Sequence, residues 1–314
     1  MRYDFAPMEG VTGYVYRNLH RRFFGGVDRY YMPFIAVGQS RTFSKKEWQE
    51  LCPEHNGFED LVPQLLGKDA EGFLWAAREL RALGYREINL NLGCPSGTVT
   101  AKGKGSGFLA HPAALEQFLD TIFSALDGPI SIKTRLGVND PAEFEALLAL
   151  YNKYPVSVLI IHPRVRKDFY RHPARVEEFA KAVPLSRSPL AYNGDLMSLA
   201  DCHAMAERFP DLEALMLGRG LIADPAMLVP GKRSVERLQA FHEALYEGYR
   251  NMFGNARSAM MRMKEVWFYH SCLFDGHEKL AKRLRRTADA GEYRAVVSEI
   301  YRTLPLRPHP VMEW

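Results

Sequence analysis

Short apolar runs recur along the chain, with helical stretches between them. Tyr3–Ala6, Arg29–Met32, Val62–Leu65, Glu87–Leu92, Ile130–Thr134, Ser157–Ile161, Pro189–Tyr192 and Ala214–Leu217 read as strands. Segments such as Ala70–Leu83 and Pro112–Leu126 are amphipathic. In the first of them Phe73, Ala76, Ala77, Leu80 and Leu83 return at helical spacing. Strands that alternate with helices predict a parallel sheet with right-handed crossovers. About eight such units over roughly 230 residues fit the α/β class as a (β/α)8 TIM barrel. The pattern alone also admits a doubly wound open sheet.

The rhythm changes near Pro225–Gly231. Beyond it Val235–Arg250, Arg257–His270, Glu278–Ala290 and Tyr293–Leu304 read as helices, and no strand signal appears. Asn255 or Ser258 is placed to cap the second of these. Gly276 is placed to end a turn and Gly291 to separate the last two. The predicted organisation is a barrel over residues 1–230 and a small helical domain over 231–314.

Composition narrows the class. Hydrophobic residues make up 47% of the 314 and charged residues 25%, as in an ordinary soluble globular chain. No apolar run reaches the length of a membrane span. The opening Met1–Pro7 lacks the basic-then-apolar layout of a signal peptide, so the cytoplasm is the expected location. Cys52, Cys94, Cys202 and Cys272 lie far apart with no C-x-x-C pair, which argues against a disulfide framework and a metal site. The net charge of +4 is uneven: residues 231–314 hold 15 Lys and Arg against 10 Asp and Glu, leaving the first 230 at −1. A basic last quarter suits a polyanion. A merely solvated helical surface explains it equally well.

Barrel enzymes carry their chemistry at the C-terminal ends of the strands. Here nearly every strand ends in a polar group. These are Pro7-Met8-Glu9-Gly10, Gln64, Asn91 with Gly93-Cys94-Pro95, Lys133-Thr134-Arg135, His162-Pro163-Arg164, Asn193-Gly194-Asp195 and Gly218-Arg219-Gly220. The last two follow strands seven and eight, where barrels commonly hold phosphate. Lys133, pointing into the mouth, suits the electron-rich N1–C2=O edge of a flavin. Gln64 is suited to donate to and accept from that edge. An ion-paired lysine and a satisfied amide are the plainer readings. Cys94 precedes a stretch with Gly97, Gly103, Gly105 and Gly107 plus Lys102 and Lys104. That stretch reads as a mobile lid whose lysines meet phosphates. A lone cysteine is more often a small buried hydrophobe.

Taken together, A-P-M-E-G at 6–10, P-Q-L at 63–65, N-L-G-C-P-S at 91–96, K-T-R-L-G at 133–137, I-H-P-R at 161–164, N-G-D at 193–195 and G-R-G at 218–220 resemble the dihydrouridine synthase family. The detail resembles most its bacterial branch acting on the tRNA D-loop. The resemblance implies a barrel bearing FMN, reduced by NADPH, with a helical tail for tRNA. It puts Pro7, Met8 and Glu9 along the flavin ring, and Gln64 and Lys133 at its polar edge. It puts His162 beside the flavin. Asn193, Gly194, Asp195, Gly218 and Arg219 then hold ribityl and phosphate. Cys94 matches the proton donor, and Asn91 and Arg135 match positions near the uracil. Lys102, Lys104 and Arg164 are expected at the RNA, with Phe169 and Tyr170 stacking on bases or buried beneath a loop. A monomer is the expected state. Two rivals remain: a flavin enzyme acting on a free pyrimidine, like dihydroorotate dehydrogenases, and a noncatalytic RNA-binding protein.

Overall fold

The computed structural model describes residues 1–57 and 60–312. Phe58, Glu59, Glu313 and Trp314, the last two ending the expected helical segment, lie outside the described residues. Ten strands form one sheet: β1 (Arg2–Phe5), β2 (Arg29–Tyr31), β3 (Ile35–Ala36), β4 (Leu61–Val62), β5 (Gln64–Leu66), β6 (Ile88–Leu92), β7 (Ile130–Gly137), β8 (Leu159–Val165), β9 (Leu190–Tyr192) and β10 (Ala214–Leu217). Their order is β3-β5-β6-β7-β8-β9-β10-β1-β2-β4, with parallel pairing.

The two ends of that order meet at Pro63. β4 pairs with β2, and β5, one residue later, pairs with β3 and β6. Pro63 has no N–H to give, which splits one strand into two. Its carbonyl still accepts from the Asn89 amide at 2.9 Å. Counting Arg29–Ala36 and Leu61–Leu66 as one interrupted strand each, eight strands close a ring. This is the expected (β/α)8 barrel, and the open sheet falls away. Only the two-residue β3, beyond Pro33, lacked a sequence signal.

Residues alternate across the barrel wall as the two-residue strand period requires. One set of inward residues is a buried apolar cluster including Ala6, Tyr31, Val62, Ile160, Ala191 and Met216. On β6 and β7 the inward set is polar instead: Asn89 and Asn91, then Ser131, Lys133 and Arg135. The alternate positions Ile88, Leu90, Leu92, Ile130 and Ile132 are buried and apolar. Outside, Thr134 meets the hydroxyl of Tyr151 at 3.0 Å.

The chain divides into two compact units. One is Met1–Pro7, Asp28–Asp195 and Ala206–Met216, which holds the barrel wall. The other is Met8–Val27, Leu196–Met205 and Leu217–Trp314. In the second unit, helix Tyr14–Phe23 sets Tyr16 edge-on to Phe241 of helix Val235–Phe253, with ring centroids 5.6 Å apart. Helices Ala256–His270, Glu278–Arg286 and Ala290–Thr303 follow. Asn255, not Ser258, is the cap of the first of these: its side chain accepts from the Ser258 amide at 2.8 Å. Such a cap contributes about 1 kcal/mol. Gly276 sits in a turn at φ +68°, as expected. Gly291 does not separate the last helices but lies in the first turn of the last one. The Asp289 carboxylate starts that helix by accepting from the amides of Gly291 and Glu292.

Candidate active site

Asn91 ends the inward row of β6 and uses both ends of its amide. Its Oδ1 accepts from the backbone N–H of Gly93 at 3.0 Å and of Cys94 at 2.9 Å. Its Nδ2 donates to Gln64 Oε1 at 2.7 Å. Gln64 in turn donates to Asn89 at 2.7 Å, and Asn89 to the Ser131 hydroxyl at 2.9 Å. A continuous polar chain therefore runs across β5, β6 and β7. Asn89 and Ser131 escaped the sequence reading. Their signal was present: each sits two residues before a predicted site residue, on the same face of its strand.

Cys94 is half-buried, and its carbonyl accepts from the Ser106 amide at 3.1 Å and the Ser106 hydroxyl at 2.8 Å. The segment after it, read from its glycines as a lid, is folded and packed here. Gly97–Thr100 forms a helical turn, Gly105–Ala110 a 3-10 helix, and Gly105 to Leu109 are buried. Gly105, at φ +56°, makes the contact possible: a Cβ there would lie 2.9 Å from the Cys94 carbonyl oxygen. The glycines serve close packing against Cys94. Lys102 is exposed, while Lys104 donates to the Val37 carbonyl at 2.8 Å.

Lys133 donates to Asn193 Oδ1 at 2.6 Å, and Asn193 donates to the Met216 carbonyl at 2.7 Å. Burial, together with the nearby Arg135 guanidinium, brings the Lys133 ammonium down to about 7. Arg135 ties the site together from below. Its Nε donates to the Gly93 carbonyl at 2.9 Å, its Nη1 to the Val165 carbonyl at 3.0 Å, and it lies 5.2 Å from the centre of the Tyr170 ring.

Arg164 was expected among the RNA-facing cations. It is instead 0% exposed, and its guanidinium is spent inside the protein. It donates to the His172 carbonyl at 2.5 Å, to both carboxylate oxygens of Asp195 at 2.8 and 2.6 Å, and to His162 Nε2 at 2.8 Å. An arginine has no acceptor to offer, so His162 Nε2 is the acceptor and the ring proton sits on Nδ1. Asp195, at φ +45°, also accepts from the Ala174 amide at 2.7 Å. Gly194 is buried, and a Cβ on it would lie 2.8 Å from that of Ala174. Phe169 and Tyr170 are 44% and 41% exposed, so the buried-aromatic reading of that loop fails.

Pro7 is half-buried just past the end of β1. Met8, Glu9, Gly218 and Arg219 belong to the other unit. There the Met8 carbonyl accepts from the Val11 and Thr12 amides at 3.0 Å, and Glu9 is exposed. Gly218 caps the short helix Arg219–Ala223, whose first side chain is buried. Among the described residues no helix is long and apolar enough to cross a membrane.

A family model described as dihydrouridine synthase (Dus) matches residues 4–303. The chain belongs to the dihydrouridine synthase family. Membership carries with it flavin-dependent reduction of uridine, and makes the chain an oxidoreductase. The tRNA-dihydrouridine(16) synthase of Ralstonia nicotianae is 30% identical over 230 residues, 70% of this chain and 69% of its own length. The enzyme of that name from Neisseria meningitidis serogroup B is 26% identical over 317 residues, 95% of this chain and 94% of its own. Both are bacterial, in keeping with the branch the motifs resemble. Among solved structures, histamine dehydrogenase from Rhizobium sp. 4-9 matches at TM-score 0.57 and 12% identity, over 85% of this chain. The dihydrouridine synthase chain spans 49% of that protein, and the likeness is one of fold.

Proposed function

We propose that this chain reduces uridine to 5,6-dihydrouridine in transfer RNA, with FMN as cofactor, NADPH as reductant and Cys94 as the acid. The observation that carries the reading is the setting of Cys94. Asn91 and Ser106 fix its backbone at the end of β6, and Asn91 is paired in register with Lys133 on β7.

The residues present suit a flavin. Lys133 donates to Asn193 and places at the mouth an amine whose ammonium burial brings down to about 7. The neighbouring amides of Gln64, Asn91 and Asn193 offer both donors and acceptors, matching a pyrimidine edge of mixed polarity. His162, with its proton on Nδ1, and Asp195, clamped by Arg164, belong to the same reading. When bound, the reduced cofactor supplies a hydride for uracil C6, the carbon made electrophilic by conjugation to the C4 carbonyl.

C5 then needs a proton. A thiol of ordinary pKa, about 8.5, is mostly protonated at neutral pH and needs no activation to give it. The Asn91 clamp on the Cys94 amide and the Ser106 clamp on its carbonyl hold that donor in place. Preorganisation of this kind is what makes a general acid effective. The uracil has to leave its stack first, at a cost of a few kcal/mol that is smallest for an unpaired loop nucleotide.

The test uses purified enzyme, NADPH and an unmodified tRNA transcript, with dihydrouridine mapped by position. Cys94→Ala is expected to keep flavin and tRNA binding and to slow flavin reoxidation by tRNA by about 10²–10⁴. Normal turnover of that variant removes Cys94 from the mechanism. Free uridine reacting as well as tRNA moves the assignment to a free-pyrimidine enzyme.

A further inference from the structure

On the far side of the segment that packs on Cys94, at Lys104, lies a second feature with no part in the chemistry above. A cavity of about 410 Å³ opens between Ile35–Ser44 and Trp75, with Lys104 on its wall. That is within the range of pockets for small organic ligands. Its wall is hydroxyl-rich, through Ser40, Thr42 and Ser44, and contains Phe43 and Trp75, whose ring centroids are 4.8 Å apart. Gly72 keeps it in shape: a Cβ there would lie 2.5 Å from the Gly38 carbonyl oxygen.

Lys104 shares the wall with Glu47, and two further lysines stand near Lys104 outside the lining. Lys104 Nζ lies 4.0 Å from where a Cβ on Gly38 would stand, and Lys68 Nζ lies 3.3 Å from the corresponding point on Gly103. Lys68, Lys102 and Lys104 are near enough that the first two help pull the Lys104 ammonium down, after burial. Asp69, 3.9 Å from Arg41, partly offsets the lysines at Lys104. Lys104 is joined directly to Gly105, the residue that presses on the Cys94 carbonyl. Lys102 and Lys104 therefore share one segment with the residue that packs on Cys94, and Lys68 reaches that segment at Gly103.

We infer that this cavity is a subsite for the nucleotide next to the target uridine, its phosphate held by Lys68, Lys102 and Lys104 and its base or ribose against Phe43 and Trp75. The inference rests on the RNA-reducing reading above. A phosphodiester suits clustered ammonium groups, and aromatic faces take bases with little regard to sequence. The polar, concave wall argues against an apolar peptide or lipid. A target strand entering over Cys94 carries its next phosphate past Lys104, so this subsite would set the register of the uracil over the thiol.

The test compares the FMN-loaded wild type with Lys68→Ala/Lys102→Ala, both exposed positions. The control is Lys153→Ala/Lys181→Ala, two lysines paired to surface carboxylates of the same unit. Affinity for an unmodified tRNA transcript is measured across salt concentrations, and flavin reoxidation is followed at saturating tRNA. The expected result is about tenfold weaker binding and a salt slope smaller by about 1 for the first variant only. Its reoxidation by free uridine should match wild type. An unchanged slope, or the same loss in the control, overturns the subsite. Cys94→Ala, run in parallel, tests the underlying reading separately: if it alone turns over normally, the mechanism fails whatever the lysines do.

Discussion

At Asn91 a single amide orders three neighbours, and the consequence reaches the thiol three bonds beyond the Cys94 amide nitrogen it holds. Gly105 completes the same clamp from the other side. An alanine there meets both a left-handed backbone angle and the Cys94 carbonyl. Gly105→Ala is expected to displace Cys94 and lower the reoxidation rate on the order of 10²-fold, with flavin absorbance retained. Stopped-flow traces matching wild type would remove Gly105 from the positioning of Cys94. Lys133 gives a pH test. Its folded value of about 7 lies below that of an unfolded lysine, so between about 7 and 10.4 the unfolded chain binds more protons. Stability of the flavin-free protein should then rise with pH across that window, by up to about 1.4 kcal/mol per pH unit. Urea midpoints of Lys133→Met should lack the rise; an equal rise in both would mean Lys133 is not the group responsible. The sequence showed Asn91, Cys94 and Lys133 plainly because each stands at or just past the end of a strand as read from the apolar runs. It misplaced Arg164, since the partner that buries it, Asp195, is 31 positions away and nothing local announces the pairing.

Among elements, the strands were readable because their apolar runs are short and bounded. The long ones were cut too early: β7 continues to Gly137 and β8 to Val165 through polar residues that face inward. The glycines of the segment after Cys94 were ambiguous for a different reason. Glycine signals either freedom or close approach, and composition does not say which; here the buried 3-10 helix shows close approach. Two of the buried histidines on the helices of the second unit, His20 and His270, are held by backbone carbonyls. Burial takes His20 down to about 3 against the pull of the Pro225 carbonyl, and His270 to about 4 against that of Ala223. Both are neutral when folded, while an unfolded histidine takes up a proton near 6.5. The folded form therefore loses stability as pH falls from 6.5, by about 1.4 kcal/mol per pH unit for each histidine. Thermal melts at pH 7 and pH 5 should show a smaller drop for His270→Gln than for wild type. A drop of equal size assigns the acid sensitivity elsewhere.

For the molecule as a whole, the barrel was legible and the partition of helices was not. Tyr14–Phe23 sits early in the chain yet clusters with residues beyond Leu217, because an apolar face finds its partner in space and sequence distance does not matter to it. The charge imbalance was legible too, and it bears on the substrate. Single turnover with tRNA should slow steeply with salt, while reaction with free uridine should not, since only the polymer releases counterions on binding. Equal salt dependence of the two reactions would argue that the basic tail takes no part in RNA capture. The closure at Pro63 has a colloidal consequence as well. A strand left at the margin of a sheet shows a ladder of bare amides and carbonyls on which foreign chains nucleate cross-β growth. In a ring completed by β4 and β5 the described strands present no such margin, so a concentrated solution of this protein is protected against that route to fibrils while the wall stays shut.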